Sequence, residues 1–121
     1  MKVISTSYPR NKIKILLLEN ISDSAVAEMN ASGYLEIERL NGALSEAQLI
    51  AAVKGVHLIG IRSKTHITAK VIAAADKLVA IGCFCIGVNQ VDLKAATEKG
   101  VAVFNAPHAN TRSVAELVIG L

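Results

Sequence analysis

The chain has no tryptophan, two tyrosines, two phenylalanines, two prolines and two cysteines. With so few aromatic rings, and with lysines and arginines scattered rather than clustered, it offers no base-stacking platform and no basic stripe, which argues against nucleic-acid binding. No apolar run approaches the roughly 20 residues of a membrane span. The opening stretch MKVISTSYPRNKIK is polar, so neither a membrane helix nor a signal peptide is expected. Cys83 and Cys85 are one residue apart, and on an extended backbone their side chains would point away from each other, a poor geometry for a disulfide. A reduced, cytoplasmic setting is the expectation.

What the chain does have is aliphatic bulk. Its 121 residues are 52% hydrophobic, mostly Ala, Val, Ile and Leu, with a formal net charge of +3. That suits one domain of helices packed on a sheet. Five short apolar runs read as strands: IKILLL (13–18), LEIERL (35–40), HLIGI (57–61), LVAIG (78–82) and VAVF (101–104). Four are nearly continuous in apolar residues, as in strands buried on both faces, whereas the charged second run belongs at an edge. Helical segments alternate with them. One starts near Ser22, places Ile21, Ala25 and Met29 on one face, and stops at Gly33. A second opens on the capping-box pattern SEAQ at Ser45 and closes at Gly55. A third begins at Thr68 and turns Val71, Ile72 and Ala75 inward, and a fourth runs from Asp92 to Gly100. The alternation predicts a doubly wound α/β domain with a five-stranded parallel sheet. NTRSVAELVIGL reads as the start of a fifth helix. Its apolar positions Val114, Leu117, Val118 and Leu121 form a stripe suited to self-association.

In an open parallel sheet, ligands bind beyond the carboxyl ends of the strands. That selects ENIS (19–22), RSKT (62–65), CFCIGVNQ (83–90) and NAPHANT (105–111), each leading into a helix N-terminus with unpaired N–H groups. Arg62 and Lys64 add full charges, so a small anion is the expected ligand, a carboxylate or a phosphate. The C-x-C pair lacks the further ligands of a zinc site and the spacing of a redox pair, so the cysteines read as small buried residues. Gly82 and Gly87 suggest close backbone approach to a ligand, at a spacing that fits neither G-x-G-x-x-G nor a phosphate loop. His57, His66 and His108 have no Ser, Cys or carboxylate at motif spacing, so structural or solvated roles are expected. Asn110 stands where it could cap the final helix.

Three segments carry a more specific signal. IGIRSKTHIT, LVAIGCFCIGVNQVDL and VFNAPHANTRSVAELVIG closely resemble the NAD-dependent D-2-hydroxyacid dehydrogenases, in the branch that oxidises 3-phosphoglycerate to 3-phosphohydroxypyruvate in serine biosynthesis. The family usually has glycine at the position of Cys85, so the chain resembles the subgroup with cysteines there. The resemblance implies a flavodoxin-like substrate-binding domain over residues 12–110. A polar segment at 1–11 precedes it, and residues 111–121 begin a helix connecting to a Rossmann domain. It further implies that Arg62 and Ser63 contact the anionic end of the substrate and that Lys64 offers charge to its phosphate. Asn110 would bind the carboxylate or carbonyl region. Ile86 would lie against the nicotinamide of NAD, and Gly87 would permit close approach. In related bacterial enzymes a basic residue can occupy the position of Asn41; here that loop offers only an amide.

The dinucleotide fingerprint and the family's catalytic Arg, Glu and His have no counterpart in these 121 residues. The expectation is therefore a fragment, inactive alone, with no catalytic residue, no metal and no NAD bound by itself. The alternative is a non-catalytic module that binds a small anion or a partner. A receiver-type signalling domain fits poorly, because Ile61 and Arg62 stand where its phosphoacceptor Asp would be.

Overall fold

The computed structural model describes residues 12–31, 33–84 and 87–105. Five strands alternate with four helices: β1 (Lys14–Leu17), α1 (Asp23–Ala31), β2 (Glu36–Arg39), α2 (Glu46–Ala52), β3 (Leu58–Ile61), α3 (Ala69–Ala74), β4 (Ala80–Cys83), α4 (Leu93–Lys99) and β5 (Ala102–Asn105). All pairings are parallel, in the order β2-β1-β3-β4-β5. This is the doubly wound, flavodoxin-like order, with its switch point between β1 and β3. Each expected strand and each of the first four expected helices is present.

Successive residues of the central strands serve opposite faces. Ile15 and Leu17 of β1 join Leu58 and Ala80 under α1, where Ile21, Ala25, Met29 and Tyr34 complete one buried cluster. Leu16 joins Ile59, Ile61, Ile81 and Cys83 against Leu49, Val71, Ile72 and Ala96 of α2, α3 and α4. Full burial of a side chain such as Leu49 contributes about 1.5–3 kcal/mol. β2 lies at an edge, as its charges imply, and its Arg39 pairs with Asp23 at the start of α1. β5 differs from expectation. It forms the other edge, and Ala102, Val103 and Phe104 are half-buried rather than enclosed on both faces.

Local chemistry fixes the helix ends. Ser45 Oγ accepts the Gln48 N–H while Gln48 Oε1 accepts the Ser45 N–H, a complete capping box. Thr68 and Asp92 cap α3 and α4. Gly100 ends α4 at φ 77°, a left-handed conformation that glycine adopts without steric penalty. Lys99 Nζ donates to the carbonyls of Ile72, Ala73 and Ala75 at 2.8–3.1 Å, satisfying the last turn of α3.

The segment 1–11, the helix expected over 111–121 with its self-association stripe, and Cys85, Ile86, His108 and Asn110 lie outside the described residues. Among the described residues no helix is long and apolar enough to cross a membrane.

Candidate functional site

The carboxyl ends of β1 and β3 open into a cleft of about 360 Å³ lined by Glu19, Asn41, Gly42, Ala43, Arg62, Ser63 and Lys64. The sheet order dictates the place: the connections from β1 and β3 leave toward opposite faces, and the gap between them is the switch point. Arg62, Ser63 and Lys64 follow β3 directly and are exposed. Among the described residues, no carboxylate forms an ion pair with Arg62 or Lys64.

The residue that organises this cleft was not singled out from the sequence. Glu19, just past β1, accepts three backbone N–H groups of the β3–α3 loop. Arg62 N and Thr65 N donate to Oε2 at 2.8 and 3.0 Å, and Lys64 N donates to Oε1 at 2.8 Å. Partial burial disfavours the charged carboxylate. The Thr65 hydroxyl and the amides of Lys64, Arg62 and Thr65 outweigh that burial, and Glu19 titrates below the ordinary glutamate range. The amides carry explicit hydrogen-bond geometry. The buried Thr65 Oγ1 has no hydrogen-bond partner among the described residues, so the three amides are the donors that hold the carboxylate.

Glu19 reaches this position because Glu19 and Asn20 both adopt left-handed backbone, at φ 61° and 56°. Such geometry is strained for a non-glycine residue and persists only when neighbouring contacts enforce it. Here the β2–α2 loop does so: Glu19 N–H donates to Gly42 O at 3.2 Å and Asn20 N–H to Leu40 O at 3.0 Å.

The β4–α4 loop grips the same segment from the other side. Gln90 Nε2 donates to Arg62 O at 2.7 Å, and Ile67 and Val91 form a parallel bridge. Ile67 N–H donates to Gln90 O, and Asp92 N–H donates to Ile67 O. Gly87 belongs to this second loop, and a methyl group placed on it would meet no atom of the described residues within 4 Å. Ile86, its expected companion on the nicotinamide wall, and Asn110 are outside the described residues.

Three expectations need correction. The amides after β3 are not unpaired, because Glu19 fills them; nor are the α3 cap donors, because Thr68 Oγ1 accepts the Val71 N–H and donates to Glu46 at 2.5 Å. Gly82 does not face a ligand. It lies within β4, where an added methyl would come within 2.9 Å of the Phe104 ring, so its role is to admit that ring. His57 sits just before β3 rather than in it, at the end of the sheet away from the cleft. Its Nδ1 accepts the Lys14 N–H at 3.0 Å, and its own N–H donates to Lys14 O at 2.9 Å. Burial first, then the charge of Lys77, lowers its pKa, as suits a structural imidazole. His66 is exposed. Cys83 is fully buried in the core, and among the described residues no three His, Cys, Asp or Glu side chains are grouped to hold a metal.

Comparison with known proteins agrees with this architecture. Residues 15–118 match the family described as D-isomer specific 2-hydroxyacid dehydrogenase, catalytic domain. The D-3-phosphoglycerate dehydrogenase of Escherichia coli K12 is 57% identical over 114 residues, which are 94% of this chain and 28% of that enzyme. The apo D-lactate dehydrogenase of Escherichia coli superposes with a TM-score of 0.67 at 26% identity, covering 89% of this chain and 35% of the other. The NAD+-bound 3-phosphoglycerate dehydrogenase of Entamoeba histolytica shares the fold, with a TM-score of 0.66 at 22% identity over 89% of this chain and 37% of that one. The chain thus spans between a quarter and two-fifths of the length of these relatives, and over that span it belongs to the D-isomer specific 2-hydroxyacid dehydrogenase family.

Proposed function

We propose that this chain supplies the substrate-binding part of an NAD-dependent oxidoreductase that converts 3-phosphoglycerate to 3-phosphohydroxypyruvate in the cytoplasm, at the start of serine biosynthesis. The observation that carries the reading is the cleft where Arg62, Ser63 and Lys64 converge beyond β3. Two cationic side chains around a small polar cleft suit a ligand with both a carboxylate and a phosphate. Arg62 and Ser63 hold the anionic end, Lys64 neutralises phosphate charge, and Asn110 engages the carboxylate or carbonyl region. Residues 12–110 form this domain, and 111–121 lead toward the NAD-binding part.

Hydride transfer requires an acceptor and a group that takes the hydroxyl proton. In the complete enzyme NAD supplies the acceptor. This chain contributes the wall at Ile86 and Gly87, where the lack of a side chain on Gly87 suits close approach of the ring. Its own residues bind and orient the substrate, while the group that takes the hydroxyl proton belongs to the remainder of the enzyme. Pure 121-residue protein should therefore produce no NADH from 3-phosphoglycerate and NAD, while a longer product containing this region together with a G-x-G-x-x-G segment should. A rise in NADH proportional to the 121-residue chain would sink the reading.

A further inference from the structure

Successive backbone amides that converge on one point make an anion receptor. The loop after β3 is such a receptor, and the chain fills it with its own carboxylate, Glu19, through the N–H groups of Arg62, Lys64 and Thr65. The left-handed backbone at Glu19 and Asn20, held by Gly42 and Leu40, delivers the carboxylate there. Gln90 Nε2 holds the Arg62 carbonyl. The Arg62 backbone is thus fixed through its N–H by one loop and through its C=O by another, while its side chain remains exposed.

We propose that Glu19 is a positioning residue. By occupying the amide receptor it sets where Arg62 and Lys64 present their charges and leaves anion binding to those side chains rather than to the loop backbone. This deepens the proposed function and rests on its assignment of Arg62 and Lys64. It also accounts for a carboxylate in the wall of an anion cleft. Unpartnered, it would repel the ligand, but three N–H dipoles offset its charge.

The test uses isotope-labelled 121-residue chain and its Glu19→Ala and Glu19→Gln variants, with sodium formate and 3-phosphoglycerate as probes. Glu19→Ala strips the amides of their partner and leaves a space the size of a carboxylate. The Arg62, Lys64 and Thr65 amide resonances should move in this variant and return toward the parent with formate, but not with sodium chloride at equal ionic strength. Affinity for 3-phosphoglycerate should fall roughly tenfold or more and recover with formate. Glu19→Gln keeps the space filled and turns an amide NH2 toward the loop donors, so it should weaken binding without formate rescue. Loop resonances in Glu19→Ala that ignore formate, or undiminished affinity in that variant, would overturn the proposal. If Glu19→Ala does not fold, Glu19→Gln decides: displaced loop resonances with weaker binding support the role, and parent-like behaviour refutes it. A parent chain that binds no 3-phosphoglycerate would count against Arg62 and Lys64 as ligands, while the formate response would still decide the role of Glu19.

Discussion

The Glu19 carboxylate accepts the Arg62 N–H at 2.8 Å, joining residues 43 apart in the chain. The contact ties the end of β1 to the end of β3 across the switch point, where the sheet order places the cleft. The cation expected to meet the substrate is therefore mounted on a braced backbone, and rigid mounting is what lets a charged side chain discriminate between ligands.

Replacing Arg62 with alanine in a longer, active product should cost about 2–4 kcal/mol in kcat/KM for 3-phosphoglycerate, the range for losing a charged hydrogen bond. Thermal stability should barely change, because the side chain is exposed. An unchanged specificity constant would show that the anion sits elsewhere.

Two glycines in one stretch should behave oppositely. Gly82→Ala pushes a methyl group to 2.9 Å from the Phe104 ring and 3.4 Å from that of Phe84, overpacking the sheet at a cost of about 1–3 kcal/mol. Gly87→Ala meets none of the described residues within 4 Å and should leave the unfolding midpoint almost unmoved, while in the longer product it should raise KM. Chemical denaturation of both variants beside steady-state kinetics checks the contrast.

Stability should fall on acidification in two steps. Glu19 and His57 both have lowered pKa values when folded, so the unfolded chain binds protons first as pH drops. The His57 contribution is complete above its unfolded value near 6.5 and disappears as pH falls through its lower folded value. The Glu19 contribution is complete above the ordinary glutamate pKa and is lost at still lower pH. Urea midpoints measured against pH should show both steps. His57→Gln should remove the upper one, and Glu19→Gln should shrink the lower, to which Asp76, lowered by the Gly55 N–H, also contributes.

Much of this architecture was legible in the residues. SEAQ announced a capping box and both of its bonds exist, and the charges of LEIERL announced an edge strand. Arg62 was recognisable as a crevice residue because it directly follows a buried strand. Glu19 was not, although ENIS marked its segment, because its role depends on a left-handed backbone that glutamate rarely adopts and that a distant loop enforces. Gly82 was misread for a related reason: the ring it accommodates belongs to β5, adjacent only once the strands pair. Helix caps are written within a few residues, whereas these two roles come from contacts between segments far apart in sequence.

Cys83 should prove structural. Its side chain is fully buried in the core, so Cys83→Ser should destabilise the fold by about 1–3 kcal/mol, because a hydroxyl loses more hydration on burial than a thiol. The Cys83→Ser, Cys85→Ser double variant should carry as much zinc as the parent. Stoichiometric zinc in the purified parent that vanishes in the double variant would contradict this.

The most direct test is calorimetric titration of 3-phosphoglycerate into the 121-residue chain and into an Arg62→Ala, Lys64→Ala variant at low and physiological salt. The account predicts saturable one-site binding to the parent that weakens with salt and is abolished in the variant, with both proteins equally folded by circular dichroism. Equal affinity in the two proteins, or no binding to the folded parent, would contradict it.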